Sequence, residues 1–309
     1  MFFKAGFIII TLLVIGMGLG VTVGSTAEKK PTIAIVYPIV HPFFEETTRG
    51  ALEAGKEFGA NIITMGPDTP DIAKQITIME GLIAQRVSGI AIGVLDPKGL
   101  TPVINKAIER GIPVLTFDTD APESKRLAYI GTNNIEAGKH AGREMVRILG
   151  GKGKICISMG VPTQLNLIQR VEGFKEVISK YPEMQIIDMQ TGYGDPEKTL
   201  ANIENMLQAH PDMDALFGVD AQAGPSAVVA WRAKKVRIPI VTFDDLPDIL
   251  KGVEEGIITV TIVQRQYKWG YLGVKYLLDA LAGKKIPPVV DTGTVAVTKE
   301  NVKTYKNIP

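Results

Sequence analysis

The chain has 309 residues, 45% hydrophobic and 22% charged, the balance of an ordinary globular protein long enough for two cores. Its 34 basic and 33 acidic residues are scattered and leave a formal charge of +1, so no field exists to attract nucleic acid or anionic lipid. A single cysteine, Cys156, excludes an internal disulfide. With only His41, His140 and His210 present the usual metal-site spacings are missing, so neither a metal nor a cofactor is expected.

The first thirty residues differ from the rest. Lys4 is followed by the apolar run AGFIIITLLVIGMGLGVTVG and then by STAEKK, the pattern of an export signal spanning residues 1–27 with a cut before Glu28. The run is long for a signal, so an uncleaved membrane anchor is the competing reading. Its glycines do not form a nucleotide-binding turn, since no strand precedes them and no amphipathic helix follows. No cysteine lies near the cut to carry a lipid. A free periplasmic location fits best.

From Pro31 short apolar runs alternate with longer amphipathic segments. The strand TIAIVY leads to the helix FFEETTRGALEAGKEFG, the strand NIITM to the helix DIAKQITIMEGLIAQR, and the strand GIAIGV to the helix GLTPVINKAIERG and the strand PVLTF. This βαβ rhythm implies a parallel sheet covered on both faces. After LAYIG it restarts with the helix NIEAGKHAGREMVRILG, the strand KICISMG, the helix TQLNLIQRVEGFKEVISKY and the strand QIIDM. It continues through DPEKTLANIENMLQAH, ALFGV, AGPSAVVAWRAKK, PIVTF, DILKGVEEG and ITVTIVQ. So many strands exceed one comfortable sheet, and the restart near residue 131 marks a boundary. The helix QYKWGYLGVKYLLDALAG and the strand TVAVT then remain. The expected fold is α/β, with two doubly wound parallel-sheet domains joined by a multi-strand hinge. One domain comprises residues 31–131 plus about 265–290, the other 132–264 plus about 291–309. Hinge closure is the expected motion.

In open parallel sheets ligands sit beyond the carboxyl ends of the strands, so the polar residues after each apolar run are the informative ones. They are His41, Phe43 and Phe44 after the first strand, then Asp118, Thr119 and Asp120, then Asp220, then Asp244 and Asp245, and finally Gln264. Turn chemistry also favours aspartate at strand ends, so recurrence carries the argument more than any single residue. Carboxylates accept from sugar hydroxyls while an arginine donates to the same oxygens, and aromatic rings cover the apolar C–H faces of a sugar. Tyr37 directly follows the first strand and is a candidate for the pocket rim, or an ordinary interface tyrosine. Trp231 and Trp269 lie on helices and read as core or surface aromatics. Glu45 and Glu46 suit a helix start, where the dipole favours negative charge, with docking of a membrane transporter as a second role.

The segments HPFFEETTRGA, TFDTDAP, IGTNNIEAGKHAG, QRVEGF, HPDMDALFGVDAQAG and VTFDDLP together resemble the periplasmic sugar-binding proteins of the ribose type, which share their domains with the sugar-responsive repressors. The resemblance covers about residues 31–298. It implies the type I periplasmic binding protein fold, and ligand contacts at Phe43, Phe44, Asp118, Arg170, Asp244 and Gln264. The family commonly has asparagine, arginine and asparagine where this chain has His41, Thr119 and Asp220, and an aromatic residue near Gly194, beside Tyr193. Ribose itself is therefore in question, and a more acidic cleft favours another sugar, a polyol or an amino-bearing ligand.

The resemblance implies a monomeric binding protein that delivers a sugar or polyol to an ABC-type membrane permease. The alternative is a ligand-sensing subunit for a membrane receptor kinase. A repressor would need a DNA-reading helix-turn-helix before Pro31, where the signal-like segment stands. For an enzyme the chain offers no phosphate-binding loop and no nucleophile elbow. Its aspartates alone leave glycoside hydrolysis open.

Overall fold

The structure is a computed structural model that describes residues 30–306. The predicted signal segment, 1–27, lies outside the described residues. Among them two six-stranded sheets are built from successive βα units. The first half runs β1 (Thr32–Val36), α1 (Glu45–Phe58), β2 (Asn61–Met65), α2 (Ile72–Gln85), β3 (Gly89–Gly93), α3 (Pro97–Glu109), β4 (Val114–Phe117) and β5 (Ala128–Gly131). The second runs α4 (Asn134–Leu149), β6 (Lys152–Met159), α5 (Leu165–Ile178), β7 (Glu183–Thr191), α6 (Pro196–Ala209), β8 (Ala215–Gly218), α7 (Ala223–Lys234), β9 (Ile240–Phe243), α8 (Pro247–Glu254) and β10 (Val260–Val263). The tail adds α9 (Gln266–Leu281), β11 (Val289–Asp291) and β12 (Val295–Val297).

Every residue of β3, β4, β8, β9 and β10 is buried, as continuous apolar runs require when helices cover both faces. Four of the helices begin where the sequence supplies an acceptor. Side chains of Asp71, Asp96, Asn133 and Asp195 take the backbone N–H of Lys74, Gly99, Glu136 and Lys198, satisfying donors that a first turn leaves free.

The strand orders are β11-β5-β4-β3-β1-β2 and β12-β10-β9-β8-β6-β7. Read outward from β1 and from β6 they correspond strand for strand, so the ends of β4 and β9 occupy equivalent places. Both have a switch in strand order beside the first strand, where open sheets form a ligand crevice. The chain passes between the sheets three times, at 132–133, 264–265 and 292–294. The first and third are laced together: Thr292 donates its N–H to Gly131 O at 2.7 Å, and Asn133 N donates to Asp291 Oδ1 at 3.0 Å.

Three local details depart from the sequence reading. The first helix starts at Glu45, because Pro42–Phe44 form a separate 3-10 turn capped by His41, whose Nδ1 accepts from Phe43 N. β7 extends over Glu183–Thr191, well beyond QIIDM. β11 is a strand that periodicity does not signal: only three residues long, it follows Pro287 and Pro288 and exists through pairing with β5. β12 is antiparallel to β10. Trp231 and Trp269 are both core residues, their indole N–H groups donating to Ile238 O and Thr292 Oγ1. Cys156 is buried between apolar neighbours, which pushes its thiol up to about 12.

Candidate ligand-binding cleft

The equivalent ends of β4 and β9 carry the same tripeptide, Thr-Phe-Asp, at 116–118 and 242–244. In both copies the aspartate adopts a left-handed backbone, with φ of 57° at Asp118 and 73° at Asp244. Aspartate tolerates that region better than most residues, but each copy still carries strain that its surroundings must hold. Here the holding group is a hydroxyl from the next strand. Tyr129 Oη donates to Asp118 O at 2.9 Å and Thr261 Oγ1 donates to Asp244 O at 2.6 Å. The turn aims both carboxylates into one cavity between the two sheets' carboxyl ends.

α5 supplies the opposing charge. Arg170 is 2% exposed, and its guanidinium stacks 4.2 Å above the Phe243 ring. Its Nε donates to Asn134 Oδ1 at 3.0 Å and its Nη1 to Val219 O at 3.1 Å. Nη2 is buried and has no protein partner. Gln264, on the second crossing between the sheets, donates to Asp244 Oδ1 at 2.9 Å, while its own Oε1 is buried without a partner. An unpaired buried donor and acceptor cost free energy that a bound polar molecule would recover.

Two contacts span the cavity from one half to the other. Asn166 Nδ2 donates to Asp118 Oδ1 at 3.1 Å. His41 Nε2 lies 3.0 Å from the Gln222 amide. Nδ1 of His41 accepts from Phe43 N at 3.2 Å, so both ring nitrogens have a partner. Burial pulls the His41 pKa down, which keeps the ring neutral.

Burial also pushes Asp118 up to about 6 and Asp244 up to about 7, against the opposing pull of Arg170 in both cases. Asp220 is raised for the same reason. It too is pushed up to about 6, against the pull of backbone N–H groups and of Arg170. Its Oδ1 accepts from Ala223 N at 3.2 Å.

Of the residues proposed from sequence, the structure brings His41, Phe43, Phe44, Asp118, Arg170, Asp220, Asp244 and Gln264 to the cavity wall. It does not bring Tyr37 or Thr119 there. Tyr37 is held behind Phe44, ring stacked on ring at 4.9 Å with its hydroxyl 2.6 Å from Thr48 Oγ1, and it faces a separate groove. Thr119 follows the left-handed Asp118 and is turned inward, fully buried, its carbonyl receiving Val94 N–H at 3.4 Å. Gly194 lines the cavity, whereas Tyr193 is half exposed under Lys198. Asn166 and Gln222 were missed. Asn166 was legible, being four residues before Arg170 and so on the same helix face; Gln222 carries no such signal.

The cavity has a volume of about 90 Å3. An enclosed water needs roughly 10–15 Å3, so this is space for roughly six to nine water-sized groups, the scale of one monosaccharide. Among the described residues no cluster of three or more His, Cys, Asp or Glu side chains could hold a metal ion, and no helix is long and apolar enough to cross a membrane.

A model of the periplasmic binding protein domain family matches residues 33–285. The ribose import binding protein RbsB of Haemophilus influenzae is 30% identical over 281 residues, covering 90% of this chain and 94% of its own. A solved ABC transporter solute-binding protein from Burkholderia graminis, in complex with D-arabinose, is 35% identical with a TM-score of 0.85, covering 89% of this chain and 97% of its own. The protein of a solved XylFII-LytSN complex is 32% identical with a TM-score of 0.83, covering 88% and 98%.

Proposed function

We propose, from the premise that the chain belongs to the periplasmic binding protein domain family, that it captures one small sugar or polyol in its cleft and delivers it to an ABC-type membrane importer. The observation that carries this reading is the set of unsatisfied polar atoms in a monosaccharide-sized cavity. Arg170 Nη2 and Gln264 Oε1 are buried and unpaired beside Asp118 and Asp244. A hydroxyl both donates and accepts, so vicinal hydroxyls serve carboxylate and guanidinium together, while Phe43 and Phe44 cover the C–H face of a ring.

The contacts come from both halves, so the ligand binds the closed arrangement better than the open one and shifts the population toward it. The bodies that move are residues 31–131 with 265–290, and 132–264 with 291–309, rotating about the three crossings. No bond is made or broken, and the protein acts as an exported monomer. The relatives' names support the substrate class: ribose import for one, an arabinose complex for another.

The test is a thermal-shift screen with pentoses, hexoses and polyols, followed by calorimetry. A binder of the folded state raises the melting temperature in proportion to its saturation. At least one such compound is expected to bind with one-to-one stoichiometry, and silence across the panel would sink the reading. A second reading, a ligand-sensing subunit docked on a membrane receptor kinase, is favoured by the neighbour found in a complex with LytSN. N-terminal sequencing of the exported protein separates them, since a cut before Glu28 releases a free carrier.

A further inference from the structure

The cavity's charges do not balance. Three carboxylates, Asp118, Asp220 and Asp244, line it with one guanidinium, Arg170. Arg170 forms no ion pair with any of them; its Nε and Nη1 are occupied by Asn134 Oδ1 and Val219 O. His41 adds no charge, because its Nδ1 is an acceptor. Two of the carboxylates are answered by a side-chain amide, Asp118 by Asn166 and Asp244 by Gln264. Asp220 is answered by backbone N–H alone.

The hydrogen-bond valences lean the same way. Asp118 Oδ2, Asp244 Oδ2 and Gln264 Oε1 have no protein donor, and of the groups left to donate to a ligand only Arg170 Nη2 belongs to a buried, charged side chain, the amide of Gln164 being neutral and part-exposed. A hydroxyl carries one donor and two acceptor lone pairs, so a ligand of hydroxyls alone brings more acceptors than donors to a wall that is rich in acceptors, and no positive charge for its carboxyl groups. An ammonium group supplies three donors, one positive charge and no acceptor. The carboxylates are not converged on a metal cradle, so a molecular cation is what the arrangement accommodates. An anionic sugar acid or phosphate would bring negative charge to a wall that already holds three carboxyl groups.

Building on the polyhydroxyl reading, we propose that the ligand bears a protonated amine beside its hydroxyls, as in an amino sugar or amino polyol, and that Asp220 is the residue selecting it. Asp118, Asp244 and Arg170 hold the hydroxyls, and Asp220 takes the ammonium.

Calorimetry on matched sets tests this with the wild-type protein at neutral pH and low salt: glucosamine, glucose and N-acetylglucosamine; the galactose equivalents; and aminodeoxyribitol with ribitol. In at least one set the amine is expected to bind at least about tenfold more tightly than its hydroxyl and acetylated counterparts, the scale of one charge-assisted hydrogen bond. Asp220→Asn should then erase that preference. If neutral sugars bind and their amines bind equally or more weakly, the proposal falls while the polyhydroxyl reading stands. If neither class binds, both fall. A preference that survives in Asp220→Asn removes Asp220 from the role, and should that variant fail to fold, the wild-type ratios decide the ligand class alone.

Discussion

Arg170 is the residue on which most of the cleft depends, because one planar group serves four surfaces. It stacks on Phe243, donates to Asn134 and Val219, and leaves Nη2 for the cavity. Lysine keeps the charge but not the fork. Arg170→Lys is therefore expected to cost about 2–3 kcal/mol of ligand affinity, the value of hydrogen bonds to a charged group, and to lower the urea midpoint as Asn134 Oδ1 and Val219 O lose their donors. Calorimetry and urea unfolding check it, and unchanged affinity would remove Arg170 from the ligand's contacts. At this scale the sequence was legible wherever a side chain terminates an apolar run. Asp118, Asp220 and Asp244 could be named on that ground alone. The same rule selected Tyr37 and Thr119, which sit at strand ends and yet face away. Which way a residue turns depends on backbone angles such as the φ of 57° at Asp118, and those are set by Tyr129 from a different strand.

Two helix pairs carry the cleft's elements, and each closes on a pair of glycines. A Cβ at Gly138 on α4 would lie 2.1 Å from Arg170 O, and one at Gly173 on α5 would lie 2.1 Å from Ile135 O. In the first half, Gly50 on α1 and Gly270 on α9 meet Tyr267 O and Thr47 O at 2.1 and 1.9 Å. Backbone cannot yield as a flexible side chain can, so Gly138→Ala should push α5 outward at a cost of about 1–3 kcal/mol. Since α5 carries Asn166 and Arg170, ligand affinity should fall too, although Gly138 does not line the cavity. Gly81→Ala is the control. Its Cβ, in the middle of α2, meets nothing within 4 Å, and alanine there should stabilise by about 0.4–1 kcal/mol through helix propensity and unfolded-chain entropy. Denaturant midpoints of opposite sign are expected for the two variants. Periodicity marked all four helices, but nothing in one helix's sequence names the helix it must touch.

For the whole molecule the closed cleft makes charge and shape interdependent. Asp118 and Asp244, raised to about 6 and about 7 by burial, regain an ordinary value near 4 when the cleft opens to water. Closing the empty cleft therefore takes up protons. The sign follows: a carboxyl raised in the closed, folded state contributes stability that is fully present below about pH 4 and is lost as pH rises through 6 to 7. The empty protein should populate the closed form most at pH 5 and progressively less toward pH 8, by up to roughly tenfold per pH unit for each proton taken up. Ligand donors that favour the ionised carboxylates should reverse the trend, so binding should release protons. Small-angle scattering across that range, with and without ligand, and calorimetry in two buffers of different ionisation enthalpy would reveal it. A radius of gyration that ignores both pH and ligand would count against closure.

The alternation of apolar runs and amphipathic segments was enough to establish two parallel sheets, because burial on both strand faces and on one helix face imposes those periods locally. Composition and charge offered no field for nucleic acid, and the recurring aspartates pointed to the strand ends. What only the tertiary structure decided is long-range. β11 exists because β5 is there to pair with it, and α9 returns to α1 because paired glycines let the backbones meet. His41 meets Gln222, and Asn166 meets Asp118, only after the chain has crossed between the sheets. Each of these joins residues far apart in sequence, and local periodicity holds no information about such a pairing until the intervening chain has folded.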